Sequence, residues 1–138
     1  MGSIVGIDYG RKRIGLAIAD TESRIATPLT TIAGRNDVTR DARIVSDASQ
    51  AVEVYVVGLP MNMDGTDSEQ TRLTRRFASE LGRLSGRPVH FQDERLSTYA
   101  ASELLSEAGL SRRRRKELTD RIAAQQILQA WLDPGVSE

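Results

Sequence analysis

Ser3-Ile4-Val5-Gly6-Ile7-Asp8-Tyr9-Gly10-Arg11-Lys12-Arg13-Ile14-Gly15-Leu16-Ala17-Ile18-Ala19-Asp20 is the stretch on which the fold turns. Ser3 to Asp8 is short, apolar and β-branched at Ile4, Val5 and Ile7, the composition of a buried strand. Tyr9 to Lys12 reads as a turn around Gly10. Arg13 to Asp20 sets Ile14, Leu16 and Ile18 in alternation with small residues, as an antiparallel return strand would.

Beyond this hairpin, Ile25 to Ile32 reads as a third strand, with Pro28 marking an edge or a bend, so the three form a meander. The pattern then changes. Asp37 is placed to cap a helix running to about Ala51. Val54 to Gly58 is a continuous apolar run, as expected of a strand covered on both faces. Leu59 to Asp67 is a loop, and Thr66 and Glu69 have capping-box spacing. They open a helix whose apolar stripe is Leu73, Phe77, Leu81 and Leu84, ended by Gly86. Pro88 to Asp93 is a fifth strand, Thr98 to Ala108 a helix stopping at Gly109, and about Arg112 to Leu132 a last helix before Pro134. The order β-β-β-α-β-α-β-α-α predicts an α/β domain over residues 1–138: a mixed five-stranded sheet with helices packed on its faces.

The bulk numbers narrow the class. A chain of 138 residues with 39% hydrophobic and 28% charged residues buries one core and is not disordered. No apolar run nears the roughly 18 residues of a membrane span. The N-terminus lacks the basic and apolar regions of a secretory signal. There is no Cys, which excludes disulfides and thiolate metal sites and suits a reducing cytoplasm. Net charge is zero, but 17 of the 19 basic residues are Arg. Base composition of the genome explains that bias; so does phosphate recognition, because the guanidinium fork matches phosphate oxygens. The basic residues cluster at Arg11 to Arg13, at Arg72, Arg75 and Arg76, and at Arg112 to Lys116.

Three acidic positions carry the chemistry. Asp8 ends the first strand before a Gly turn, where it is either a turn former or a partnered carboxylate. Asp93 and Glu94 end the fifth strand; neighbours on a strand point to opposite faces, so only one of them can join Asp8. Asp120 shares a helical face with Ala124, Ile127 and Trp131, so it points at the core or the sheet edge. There it needs a cation or strong donors, and an Arg partner would also satisfy it. Three carboxylates with no Cys and a single His suit a hard cation, Mg2+ or Mn2+, bridging phosphate oxygens. His90 lies mid-strand and reads as structural, with no Ser placed to make a triad. The loop from Gly58 to Thr66 leads into a helix start, an anion-binding arrangement, but lacks the Gly-Lys-Ser/Thr of a Walker A loop. The run Arg112-Arg113-Arg114-Arg115-Lys116 ends four residues before Asp120, and Lys12 and Arg13 follow Asp8 closely. Basic groups beside acidic ligands would hold a phosphate backbone. Aromatic content of 4% supplies few stacking platforms for single strands.

Gly6-Ile7-Asp8-Tyr9-Gly10, Lys12-Arg13-Ile14-Gly15, Val57-Gly58-Leu59-Pro60, Met63-Asp64-Gly65-Thr66, Asp93-Glu94-Arg95-Leu96-Ser97-Thr98 and Asp120-Arg121-Ile122-Ala123-Ala124 with Ile127-Leu128 occur in that order. In this the chain resembles the YqgF/RuvX family of pre-16S rRNA nucleases, also called Holliday-junction-resolvase-like proteins. The resemblance spans nearly the whole chain. It implies a ribonuclease H-like fold, with a three-strand antiparallel meander plus two parallel strands and helices on both faces. It also implies a cytoplasmic divalent-metal nuclease acting in 5′-end maturation of 16S rRNA. Asp8, Glu94 and Asp120 match the acidic catalytic and metal-binding positions, with Asp93 as an additional candidate. Lys12, Arg13, Arg95, Arg112, Arg113, Arg114, Arg115 and Lys116 are the expected nucleic-acid contacts. The implied partners are precursor 16S rRNA and ribosomal particles, with no membrane, for a monomer or homodimer. Asp67-Ser68 stands where the family pattern has a Gly nearby, a departure that touches only the loop. Three competing readings carry different tests: a four-way DNA junction resolvase, which needs a dimer; a nucleotide-binding half-domain of the actin and sugar-kinase type, which also opens on Gly-Ile-Asp-x-Gly; and a non-catalytic RNA-binding assembly factor.

Overall fold

The computed structural model describes residues 2–49, 51–93 and 112–133, with side chains of the last stretch from residue 119 onward. The elements run β1 (Ser3–Tyr9), β2 (Arg13–Asp20), β3 (Thr27–Ala33), α1 (Val38–Ala48), β4 (Val52–Leu59), α2 (Glu69–Ser85), β5 (Val89–Asp93) and α3 (Arg112–Leu132). The expected helix over 98–108 lies outside the described residues. The five strands form one sheet in the order β3-β2-β1-β4-β5. β1, β2 and β3 pair antiparallel; β1 with β4, and β4 with β5, pair parallel. The mixed sheet is the one that the sequence predicts.

Helices cover both faces, and strand alternation sorts the core accordingly. On one face Val5, Ile7, Tyr9, Ile14, Leu16, Tyr55 and Val57 pack against Ala42 and Val45 of α1 and Phe77, Ala78 and Leu81 of α2. On the other, Ile4, Ala17, Ala19 and Val56 pack against Ala124, Ile127, Leu128 and Leu132 of α3. Two glycines let α3 lie close. A Cβ on Gly6 would stand 2.6 Å from Leu128 Cβ, and one on Gly15 only 2.0 Å from the carbonyl oxygen of Asp120.

Several boundaries differ from expectation: β1 extends through Tyr9, β4 runs Val52–Leu59 instead of Val54 to Gly58, β5 starts at Val89, and three further differences have a visible cause. The third strand starts at Thr27, not Ile25, whose side chain is 64% exposed. Arg24 takes a positive φ of 55°, so the chain is still turning there. Pro28 does bend the edge: the β2–β3 register shifts between Leu16 and Ala17, where Ala17 pairs with Pro28. α1 is capped by Asp37, which accepts from Arg40 N–H at 3.1 Å, but it ends at Ala48 because Ser49 leaves the helical region with φ -123° and ψ 78°. The capping box of α2 is Ser68 with Thr71, not Thr66 with Glu69. Asp64 takes both the backbone N–H (3.0 Å) and the hydroxyl (2.6 Å) of Thr66, while Glu69 binds Arg11. Gly86 closes α2 in the left-handed region, φ 70°, as expected of a glycine there.

Candidate active site

Asp8 is the penultimate residue of β1 and is half-buried. Its register partner on β2 is Gly15. Gly6, two residues earlier on the same side of the pleat, is the residue that meets α3, so Asp8 also faces α3. Gly15 is in turn the residue on which Asp120 rests. Two carboxylate residues 112 positions apart in sequence are thus brought together with one glycine between their backbones. Glycine mid-strand usually marks such a close approach, and Gly15 carries that signal in the sequence.

Asp120 also has the arginine that its helical face called for. Arg13 Nε donates to Asp120 Oδ2 at 2.8 Å, with the two side chains 37% and 21% exposed. An ion pair so accessible to water adds only about 0–1 kcal/mol to folding. Arg13 therefore sits within the candidate site, paired with one of its acids.

β5 brings Asp93 to the same end of the sheet. Val89 packs on the α1/α2 core, and alternation puts Phe91 and Asp93 on that side as well. Asp93 thus faces away from the side that Asp8 and Asp120 share. Glu94 and Arg95 lie outside the described residues, as do the side chains of Arg112 to Lys116, whose backbone forms the first turns of α3. Among the described residues no group of three or more ligating side chains forms. His90 packs against Trp131, ring centroids 5.5 Å apart, which fits its structural reading.

The ground under Asp8 is built partly by residues that the sequence did not single out, Asp41 and Gln70 among them. Tyr9, next to Asp8 and on the opposite face, stacks on Phe77 at 4.2 Å. Its hydroxyl donates to Asp41 Oδ2 at 3.2 Å, and Asp41 Oδ1 accepts the Arg35 N–H at 2.7 Å. Asp41 is fully buried. Burial first, and then the neighbouring Asp41 carboxylate, push the Tyr9 phenol well above its ordinary range. The Tyr9 carbonyl accepts from Gln70 Nε2 at 2.9 Å, tying the end of β1 to α2. Arg11 reaches Glu69 at 2.6 Å and so is engaged at the start of α2, whereas Lys12 is exposed at the tip of the turn.

The start of α2 is less of a phosphate cradle than the sequence suggests. Ser68 takes the Thr71 N–H, and Glu69 puts a negative charge in the first turn. Arg75 is held by Asp67 at 3.0 and 3.3 Å, on the α1/α2 side of the sheet.

Residues 2–134 match the RuvX family, described as Holliday junction resolvase. The chain belongs to this family. It is 45% identical over 134 residues to a Rhodobacter capsulatus protein named "Putative pre-16S rRNA nuclease", covering 96% of this chain and 84% of the other. It is 47% identical over 133 residues to an Anaeromyxobacter protein of the same name, covering 94% and 95%. The solved structure of Thermus thermophilus RuvC aligns over 98% of this chain and 96% of the other, with a TM-score of 0.57 at 15% identity. That likeness establishes the ribonuclease H-like fold. As a member of the family the chain is a nuclease, a hydrolase acting on ester bonds.

Proposed function

We propose that this chain is a single nuclease domain that hydrolyses phosphodiester bonds in precursor 16S rRNA, at its 5′ end, in the cytoplasm. The observation that carries the site is the convergence of Asp8 and Asp120 across Gly15. Both offer only carboxylate oxygens, the donor set of a hard cation, so the residues fit Mg2+ or Mn2+. Glu94 would be the third acid, although it lies outside the described residues. Its role rests on the sequence match.

A divalent cation held there would supply an activated water and neutralise charge on the phosphate. The protein's own part is to hold the substrate and the acids still. Asp8 sits on a strand paired on both sides, so its backbone does not yield when a polyanion approaches. Lys12 and the run Arg112 to Lys116 would bind the backbone on either side of the cut, which makes affinity fall with salt. Hydrolysis adds water across one P–O ester bond, leaving a phosphate end and a hydroxyl end.

The family description favours one other reading, resolution of a four-way DNA junction. The two separate on substrate. Purified protein with Mg2+ or Mn2+ is given a precursor 16S 5′ fragment and a synthetic four-way junction. Cutting of the RNA supports the rRNA reading. Cutting of the junction alone, with a dimer by light scattering, replaces it with the resolvase.

A further inference from the structure

We propose that Arg13 is a positioning residue for Asp120 and not a phosphate contact. The inference rests on the nuclease reading, in which Asp120 is a metal ligand. Arg13 and Gly15 lie two residues apart on β2 and therefore on the same side of the pleat. Both meet Asp120: the missing side chain of Gly15 admits its backbone, and Arg13 Nε grips its Oδ2 at 2.8 Å. One strand thus fixes both the backbone and the carboxylate of a residue on α3. An aspartate on a helix has several rotamers. A planar N–H donor on one oxygen selects one of them and so sets the direction in which the carboxylate points. Hydrogen bonds to ligating carboxylates commonly serve this way. The pair is too open to water to exist mainly for stability. Arg13 and Lys12 then divide the work of a basic pair: Lys12, exposed at the turn, meets the phosphate, and Arg13 meets the acid.

Arg13→Lys is the informative variant, because it keeps the charge and removes the planar Nε–H. Two readouts that need no turnover apply to wild type, Arg13→Lys, Lys12→Gln and Asp120→Asn: Mn2+ affinity by electron paramagnetic resonance, and the salt slope of binding to a precursor 16S 5′ fragment. Arg13→Lys should weaken Mn2+ by about 10–100-fold and leave the salt slope unchanged. Lys12→Gln should leave Mn2+ affinity unchanged and reduce the slope by about one. Mn2+ affinity unchanged or tightened in Arg13→Lys overturns the proposal. So does an Arg13→Gln variant that reduces the salt slope by about one. If Asp120→Asn binds Mn2+ as wild type does, the metal-site reading itself fails, an outcome distinct from failure of the Arg13 assignment alone. Circular dichroism and a thermal melt show that each variant is folded.

Discussion

Asp41 is fully buried yet carries a carboxylate, and its two oxygens take the Tyr9 hydroxyl and the Arg35 N–H. Tyr9→Phe removes the first donor and leaves a buried acceptor short of a partner, which costs about 1–3 kcal/mol. A urea titration of the two proteins checks it. The buried phenol, with the Asp41 carboxylate beside it, has a pH signature. The folded phenol is held above its ordinary value of 10.0, so the unfolded chain ionises there first. Stability from this group is complete below about 10 and falls as the pH rises beyond it. Wild type should therefore lose stability above about pH 10 more steeply than Tyr9→Phe; parallel curves would remove Tyr9 from the account. None of this is legible in the sequence, because Tyr9 and Asp41 are 32 residues apart and neither belongs to a local pattern. Arg13 and Asp120, 107 apart, are a half-way case. The helical face of Asp120 called for a cation or an arginine, but nothing local said which of 17 arginines it would be.

Among the elements, legibility followed how local the determinants are. The β1–β2 hairpin, the apolar β4 and α3 from Arg112 to Leu132 stand where their periodicity puts them. The start of α2 does not, because two candidate caps competed and tertiary contacts chose. Glu69 is drawn to Arg11 and Thr66 to Asp64, leaving Ser68 and Thr71 to close the box. Ser68→Ala should cost about 1 kcal/mol and Thr66→Ala measurably less, by chemical denaturation; the reverse order would restore the other cap. The contact of α3 with the sheet offers a sharper test. Gly15→Ala places a Cβ 2.0 Å from a backbone oxygen, so α3 must move, at a cost of at least about 1–3 kcal/mol. Gly6→Ala also crowds α3, but against Leu128 and Ala124 instead of Asp120. Both variants should be destabilised. At a temperature where both are folded, Gly15→Ala should lose far more nuclease activity.

For the whole molecule, the parallel and antiparallel halves of the sheet meet at β1, which pairs with β2 on one side and β4 on the other. The fold puts Asp8, the proposed catalytic acid, on that central strand. It then brings α3 onto the glycines of β1 and β2, so that the backbone of Asp120 lies against Gly15, the register partner of Asp8. The hairpin motif gave Asp8 its place in the sequence reading. The approach of Asp120 depends on the packing of α3, which only the folded chain displays. Within the described residues no helix is long and apolar enough to cross a membrane. The most direct test of the account is single-turnover cleavage by wild type and Asp8→Asn, with Mg2+ or Mn2+, on the precursor 16S 5′ fragment and the four-way junction. Unfolding midpoints are measured alongside. The account predicts that Asp8→Asn remains folded and loses at least about 100-fold in rate on whichever substrate the wild type cuts. An Asp8→Asn protein that is folded and cuts at the wild-type rate would contradict it.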